Sequence, residues 1–179
     1  MIPGMNLADF SRDNKSVAIA SRLDSGRAIN ITRDIVNFLT DQGIKVYPEA
    51  RIANLIGFLG KPLDELDYDQ TPAIISVGGD GTILRVAQNL SFKNPPSILG
   101  VNVGAVGFLA EFDITTQEEI FSQLMNTELI EERCMRLSTT IDASTRFPLA
   151  LNEVLIITSR PSKALSIVIK VDGQEFSSG

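Results

Sequence analysis

The sequence predicts an α/β fold: a helix-flanked parallel sheet in the N-terminal part, followed by the start of an all-β domain. Three observations carry this reading. An apolar run, a helical stretch and a second apolar run follow one another between Ser16 and Tyr47, the pattern of a βαβ unit. Around Pro72–Leu90 a β-branched run breaks at a glycine cluster and resumes at helical spacing. From Arg136 onward strand-like runs succeed one another without a helix between them, which reads as antiparallel structure and sets a boundary near residue 135. The chain therefore divides into an α/β unit over residues 1–135 and an incomplete β unit over residues 136–179.

In order, residues 1–15 read as a loose lead-in. Ser16–Ala20 is a buried strand and Ser21–Gly26 a polar turn. Ala28, Ile31, Ile35, Phe38 and Leu39 share one helical face, and Gly43 stands where a C-terminal cap belongs. Ile44–Tyr47 is the second strand. Residues 50–71 are ambiguous, because Gly57 and Gly60 interrupt an otherwise helical apolar pattern; Leu63–Gln70 is acidic and reads as a surface loop or short helix. Ser97–Asn102 is a further strand. Thr115–Glu118 fits a capping box that opens a helix with Ile120, Leu124 and Met125 on its apolar stripe.

The central stretch carries the chemistry. Ala73–Val77 is short, β-branched and bounded by Pro72 and a glycine pair, whereas Ile83, Val86, Ala87 and Leu90 recur at helical spacing. Gly78-Gly79-Asp80-Gly81-Thr82 is thus a turn from a strand's carboxyl end to a helix's amino end. Ligands of open α/β sheets bind beyond strand carboxyl ends, and free N–H groups at a helix start attract phosphates. Asp80 suits holding a divalent metal that bridges to phosphates, or accepting a proton from an attacking hydroxyl. The plain alternative is a tight connector, since Asp-Gly is a common turn pair. The spacing matches neither a Walker A loop nor Gly-x-Gly-x-x-Gly. Further on, glycines 100, 104 and 107 again let backbone come close to something. Asn102 either binds a ligand hydroxyl or caps its turn, and Phe108 either stacks on a base or packs in the core.

Composition narrows the function classes. The 179 residues are 44% hydrophobic and 21% charged, as in ordinary globular proteins. A net charge of −6 argues against a nucleic-acid surface. With no histidine, Ser-His-Asp and Cys-His catalysis and histidine-bound zinc have no residue in this chain to use. Cys134 is the one cysteine; it admits no intramolecular disulfide and reads as a small packing residue. Residues 1–14 lack the apolar core of a signal peptide, and the longest uncharged run, residues 94–110, is too short and too rich in Gly, Asn and Pro to span a membrane. The expectation is a cytoplasmic protein with no membrane contact.

In the β part, Leu137–Ile141, Ala150–Ile157 and Leu165–Val171 read as strands. Asn152-Glu153 lies inside the second, where a buried Glu needs a partner or a function and an edge Glu faces water. Asp172-Gly173 is a two-residue hairpin signal, and Gln174–Phe176 begins the returning strand.

Three elements in order, Gly78-Gly79-Asp80-Gly81-Thr82, then Gly100-Val101-Asn102-Val103-Gly104 with Gly107-Phe108-Leu109, then Leu151-Asn152-Glu153-Val154, resemble NAD kinases of the bacterial and archaeal type. The first element alone is shared with diacylglycerol and sphingosine kinases. The resemblance implies a Rossmann-like nucleotide-binding unit and phosphoryl transfer, from ATP or in some members polyphosphate, to the 2′-hydroxyl of the adenosine ribose of NAD. It implies an acid–base or metal-positioning role for Asp80 and a phosphate loop at Gly79 and Gly81, with Thr82 and Asn102 beside the nucleotide. By the same resemblance Phe108 lies against the bound nucleotide and Asn152 and Glu153 contact NAD. It further implies Mg2+ or another divalent metal, ATP as donor, and a homo-oligomer, dimer or tetramer. The alternatives are a lipid or sphingoid kinase of the same fold and a non-catalytic nucleotide-binding fragment. Family members continue with a second Asp-Gly element and a Gly-Ser-Thr-Ala-Tyr-like stretch that complete the NAD site. This sequence stops at Gly179 before both, so residues 136–179 are expected to pack incompletely. Ala105-Val106 also replace a more polar pair.

Overall fold

The computed structural model describes residues 5–91, 93–104, 107–110, 112–113, 116–160 and 163–178. The α/β part runs β1 (Ser16–Ser21), α1 (Gly26–Asp41), β2 (Lys45–Pro48), α2 (Ala50–Ile56), β3 (Ala73–Gly78), α3 (Asp80–Gln88), β4 (Ser97–Asn102), β5 (Phe112–Asp113) and α4 (Gln117–Asn126). The five strands form one parallel sheet in the order β2-β1-β3-β4-β5. The chain steps from β1 outward to β2, then crosses back to β3 on the other side of β1. That reversal opens a crevice between the carboxyl ends of β1 and β3.

Both sheet faces are covered, which is why β1 and β3 read as unbroken apolar runs rather than alternations. Val17, Ile19, Ile75 and Val77 pack on one face with Ile31, Ile35 and Leu39 of α1, Ile52 of α2 and Ile120 and Leu124 of α4. Ala18, Ala20 and Ile74 pack on the other with Val86 of α3 and Leu63, Leu66 and Leu90. Small alanines in β1 on that second face leave room for the α3 layer.

The predicted elements of the α/β part form, with four corrections to the reading of residues 1–135. Residues 5–15 are no loose lead-in: a 3₁₀ turn at Leu7–Asp9 buries Leu7 and Phe10, and Met5 pairs with Leu129. Gly57 ends α2 instead of interrupting it, taking the left-handed conformation (φ 81°) at the helix end. The cap of α4 sits one residue later than expected: Thr116 accepts the Glu119 N–H, while Thr115 lies outside the described residues. Cys134 is exposed rather than packed.

After α4 come two small antiparallel pairs, β6 (Thr140–Ile141) with β7 (Thr145–Arg146) and β8 (Val168–Val171) with β9 (Gln174–Ser178). Asp172 (φ 50°) and Gly173 (φ 81°) form the expected hairpin turn, both central residues being left-handed. The expected strand over Ala150–Ile157 does not form; only Ala150 is bridged, to Leu137. Strand preference is a preference for a pleated, half-buried surface, and the described residues offer 151–157 no such neighbour. Arg136 joins this region to the α/β part by donating to the carbonyls of Ala87, Leu90 and Ser91 at the end of α3. Among the described residues no helix is long and apolar enough to cross a membrane.

Candidate functional site

The Gly78–Thr82 turn lies at the carboxyl edge of the sheet. Gly79 is the N-cap of α3 and brings no side chain, whereas α1 and α4 are capped by Ser25 and Thr116. Asp80 is the first helical residue, where the helix dipole favours a carboxylate. Its two oxygens accept the backbone N–H groups of Phe108 (2.9 Å) and Leu109 (3.0 Å). These bonds hold the Asp80 carboxyl below its usual range, because they stabilise the ionised form. The carboxylate therefore ties the loop after β4 to the start of α3.

The glycines sort into two groups. A Cβ on Gly107 would lie 2.5 Å from an Asp80 oxygen, and one on Gly100 would lie 2.8 Å from the Ala110 backbone. Gly78 leaves room for the Thr82 side chain, which is buried. What approaches these three glycines is the protein itself. Gly79, Gly81 and Gly104 face open space instead, with nothing within 4 Å of an added Cβ. Those three leave backbone accessible to a ligand.

Asn102 is buried at the end of β4, and its side-chain oxygen accepts the Gly104 N–H at 3.1 Å. Of its two readings, this contact is the turn cap. Phe108 is fully exposed beside Asp80 and is not a core residue. Asp80, Gly79, Gly81, Thr82, Asn102 and Phe108 thus lie at one end of the sheet, on the β3–α3 turn and the segment that follows β4. Asn152 and Glu153 are exposed on an irregular stretch, and neither bonds to that turn among the described residues. Ala105 and Val106 lie outside the described residues.

Sequence reasoning missed an ion pair one helical turn beyond Asp80. Arg85 donates to both oxygens of Glu49 (2.6 and 2.8 Å) and to the Ser21 carbonyl (3.3 Å). Glu49 is buried at the junction of β2 and α2. A carboxylate buried between two elements requires a cation, but the burial of Glu49 is visible only in the fold.

Among the described residues no three His, Cys, Asp or Glu side chains gather to hold a metal. The donor set does not fit a resident metal centre. An ion carried on substrate phosphates needs only one or two carboxylates, and Asp80 is the one at the turn.

The family model for the ATP-NAD kinase N-terminal domain matches residues 17–129. The NAD kinase of Methanothermobacter thermautotrophicus is 35% identical over 164 residues, covering 88% of this chain and 55% of that protein. That of Chlorobium luteolum is 39% identical over 158 residues, covering 85% and 53%. Among solved structures, an NAD kinase from Archaeoglobus fulgidus in complex with ATP superposes with a TM-score of 0.60 at 27% identity, covering 91% of this chain and 56% of that one. The chain spans about half the length of the curated relatives it matches.

Proposed function

Since this chain belongs to the ATP-NAD kinase family, matched over residues 17–129, we propose that it supplies the Asp80 side of an NAD kinase site. The reaction is transfer of a phosphoryl group from ATP to the 2′-hydroxyl of the adenosine ribose of NAD. The observation that carries the reading is the Asp80 turn itself: an uncapped helix start at a strand's carboxyl edge, with Gly79 and Gly81 open and a carboxylate at its centre.

Phosphoryl transfer depends mainly on positioning and charge neutralisation. Gly79 and Gly81 let phosphate oxygens reach backbone N–H groups, and Thr82 packs beneath that turn. Phe108 presents a free aromatic face to the nucleotide, and Asn102 supports the segment from below. Asn152 and Glu153 are assigned to NAD on the resemblance alone. Of the two roles open to Asp80, the geometry favours positioning. A general base works best with a pKa near the operating pH, and two N–H bonds take this carboxyl the other way. Magnesium is proposed as an ion travelling on the donor's phosphates, where it would neutralise their charge. The whole protein is proposed to be cytoplasmic and homo-oligomeric, its two parts dividing near residue 135. The relatives named above are NAD kinases, so the lipid-kinase alternative has no observation in its favour.

The test is incubation with ATP, magnesium and NAD, with NADP as readout. NADP formation is the expected result. Nucleotide binding without NADP would reduce the role of residues 1–179 to a binding fragment.

A further inference from the structure

We propose that Arg136 is a positioning residue for the Asp80 turn: it fixes the far end of α3 and so couples the segment that carries Asn152 and Glu153 to the helix that begins at Asp80. Its guanidinium donates to the carbonyls of Ser91 (2.8 Å), Ala87 (3.3 Å) and Leu90 (3.4 Å). The last carbonyls of a helix have no partner within it, and the helix dipole favours a cation beside them. Arg136 meets both needs at the end of α3. The ion pairs among the described residues do not include it, so what its charge holds is the helix end.

Two features carry this contact to the site. The first is how α3 is anchored. Side chains of Ser25 and Thr116 cap the starts of α1 and α4, but the start of α3 at Gly79 has no such bond. Its anchors lie downstream instead: Arg85 bonds to Glu49 and the Ser21 carbonyl, and Arg136 holds the end. At the Asp80 end the side-chain contacts are those with the Phe108 and Leu109 amides, and their lengths follow the placement of the helix. α3 has nine residues, about 13 Å at 1.5 Å per residue, and so short a helix shifts as one rigid piece. The second feature is what Arg136 is attached to. The next residue, Leu137, forms a two-bond antiparallel bridge with Ala150 (2.7 and 3.0 Å), and Ala150 stands two residues before Asn152. The path from Asn152-Glu153 to Asp80 thus runs through Ala150, Leu137, Arg136 and α3. That Asn152 and Glu153 face the nucleotide rests on the NAD kinase reading; the link through Arg136 does not.

The experiment is amide hydrogen exchange on the 179-residue chain. The parent is compared with Arg136→Met, which keeps a long apolar stem without charge or donors, and with Arg136→Lys. Ile120→Val is the control, since it weakens the core on the opposite sheet face. Arg136→Met should speed exchange of the Thr82, Phe108 and Leu109 amides about tenfold, the size expected when charge-assisted bonds at a helix end are lost. Arg136→Lys should recover part of that protection, and Ile120→Val should leave the three amides as in the parent. Faster exchange confined to residues 87–91 would make Arg136 a local cap and overturn the proposal. An equal rise at the three amides in Ile120→Val would overturn it too, because those amides would then report general unfolding. Coupling between sites is reciprocal, so ATP with magnesium should slow exchange at Leu137 and Ala150 in the parent but not in Arg136→Met. Protection of Thr82 by ATP with Leu137 and Ala150 unaltered would overturn the coupling. Absence of ATP protection at every amide would count against the NAD kinase reading, while the comparison without nucleotide still decides the role of Arg136.

Discussion

Asp80 shows how one side chain can be both a functional candidate and a structural tie. Its oxygens accept two amides of the 108–109 loop, so a neutral substitute loses more than charge. In Asp80→Asn the amide NH2 group must face a backbone N–H where an oxygen accepted one. The expected outcome is loss of amide protection at Phe108 and Leu109, and a fall in NADP formation of about 10²-fold, the size a lost positioning contact gives, in any form that turns over. Unchanged protection with unchanged turnover would leave Asp80 a turn residue. The pH dependence follows from the lowered carboxyl. A carboxyl depressed in the fold contributes stability that is full above its ordinary pKa and is lost as pH falls through the depressed one. The Phe108 and Leu109 amides should therefore stay protected from neutrality down to the ordinary carboxylate range and open only below it, as amide exchange would record. Ser76 presents the opposite case. Its hydroxyl is buried in β3 and makes no hydrogen bond among the described residues, at a cost of about 1–3 kcal/mol. Ser76→Ala should raise unfolding stability by about 1 kcal/mol in urea titrations; a decrease would mean that the hydroxyl has a partner.

At the scale of elements, α3 is the piece on which the site depends, and it is held from three sides. Val86 and Ala87 bury its apolar face, Glu49 and Ser21 hold Arg85, and Arg136 occupies the carbonyls at its far end. The apolar face was legible in the sequence because Ile83, Val86, Ala87 and Leu90 obey a local period. So were the strands of the sheet, each bounded by turn residues. The Arg85–Glu49 pair was not legible: the partners stand 36 residues apart, and nothing local distinguishes Arg85 from any other arginine on a helix. The roles of Gly100 and Gly107 were legible only as close approach, since which backbone approaches depends on the fold. Removing one partner of a buried pair costs about 3–5 kcal/mol. Arg85 is partly exposed, so Arg85→Ala should destabilise by about 3 kcal/mol, with Glu49→Ala close behind. The double variant should cost clearly less than the sum, because each single change strands the other charge. Additive losses would show that the two residues act independently.

For the whole molecule, the two parts differ in what covers their apolar side chains. In the α/β part, Ile19, Ile75 and Val77 are fully buried between helix layers. Beyond residue 150 the same residue types face outward: Leu155 is 79% exposed, Ile157 72% and Phe176 77%. A run of β-branched residues was sufficient evidence for β3, whose neighbours on both sides are parallel strands. The same texture misled at Ala150–Ile157, because a strand requires a pairing partner and sequence texture alone does not provide one. The β8–β9 hairpin, by contrast, was legible, since its turn is specified by two adjacent residues, Asp172 and Gly173. Few buried contacts and exposed backbone hydrogen bonds mark the segments that open most readily, and an isolated two-stranded hairpin is marginally stable in water. Hydrogen exchange should therefore divide the chain near residue 135. Amides of Ala73–Val77 should exchange only through global unfolding, whereas those of residues 150–157 and 168–176 should exchange orders of magnitude faster through local opening. Added denaturant should speed exchange of the first group only, since local opening exposes little surface and global unfolding exposes much. Protection of residues 150–176 in a monomer equal to that of β3 would show that the β part is buried in solution and would remove this division.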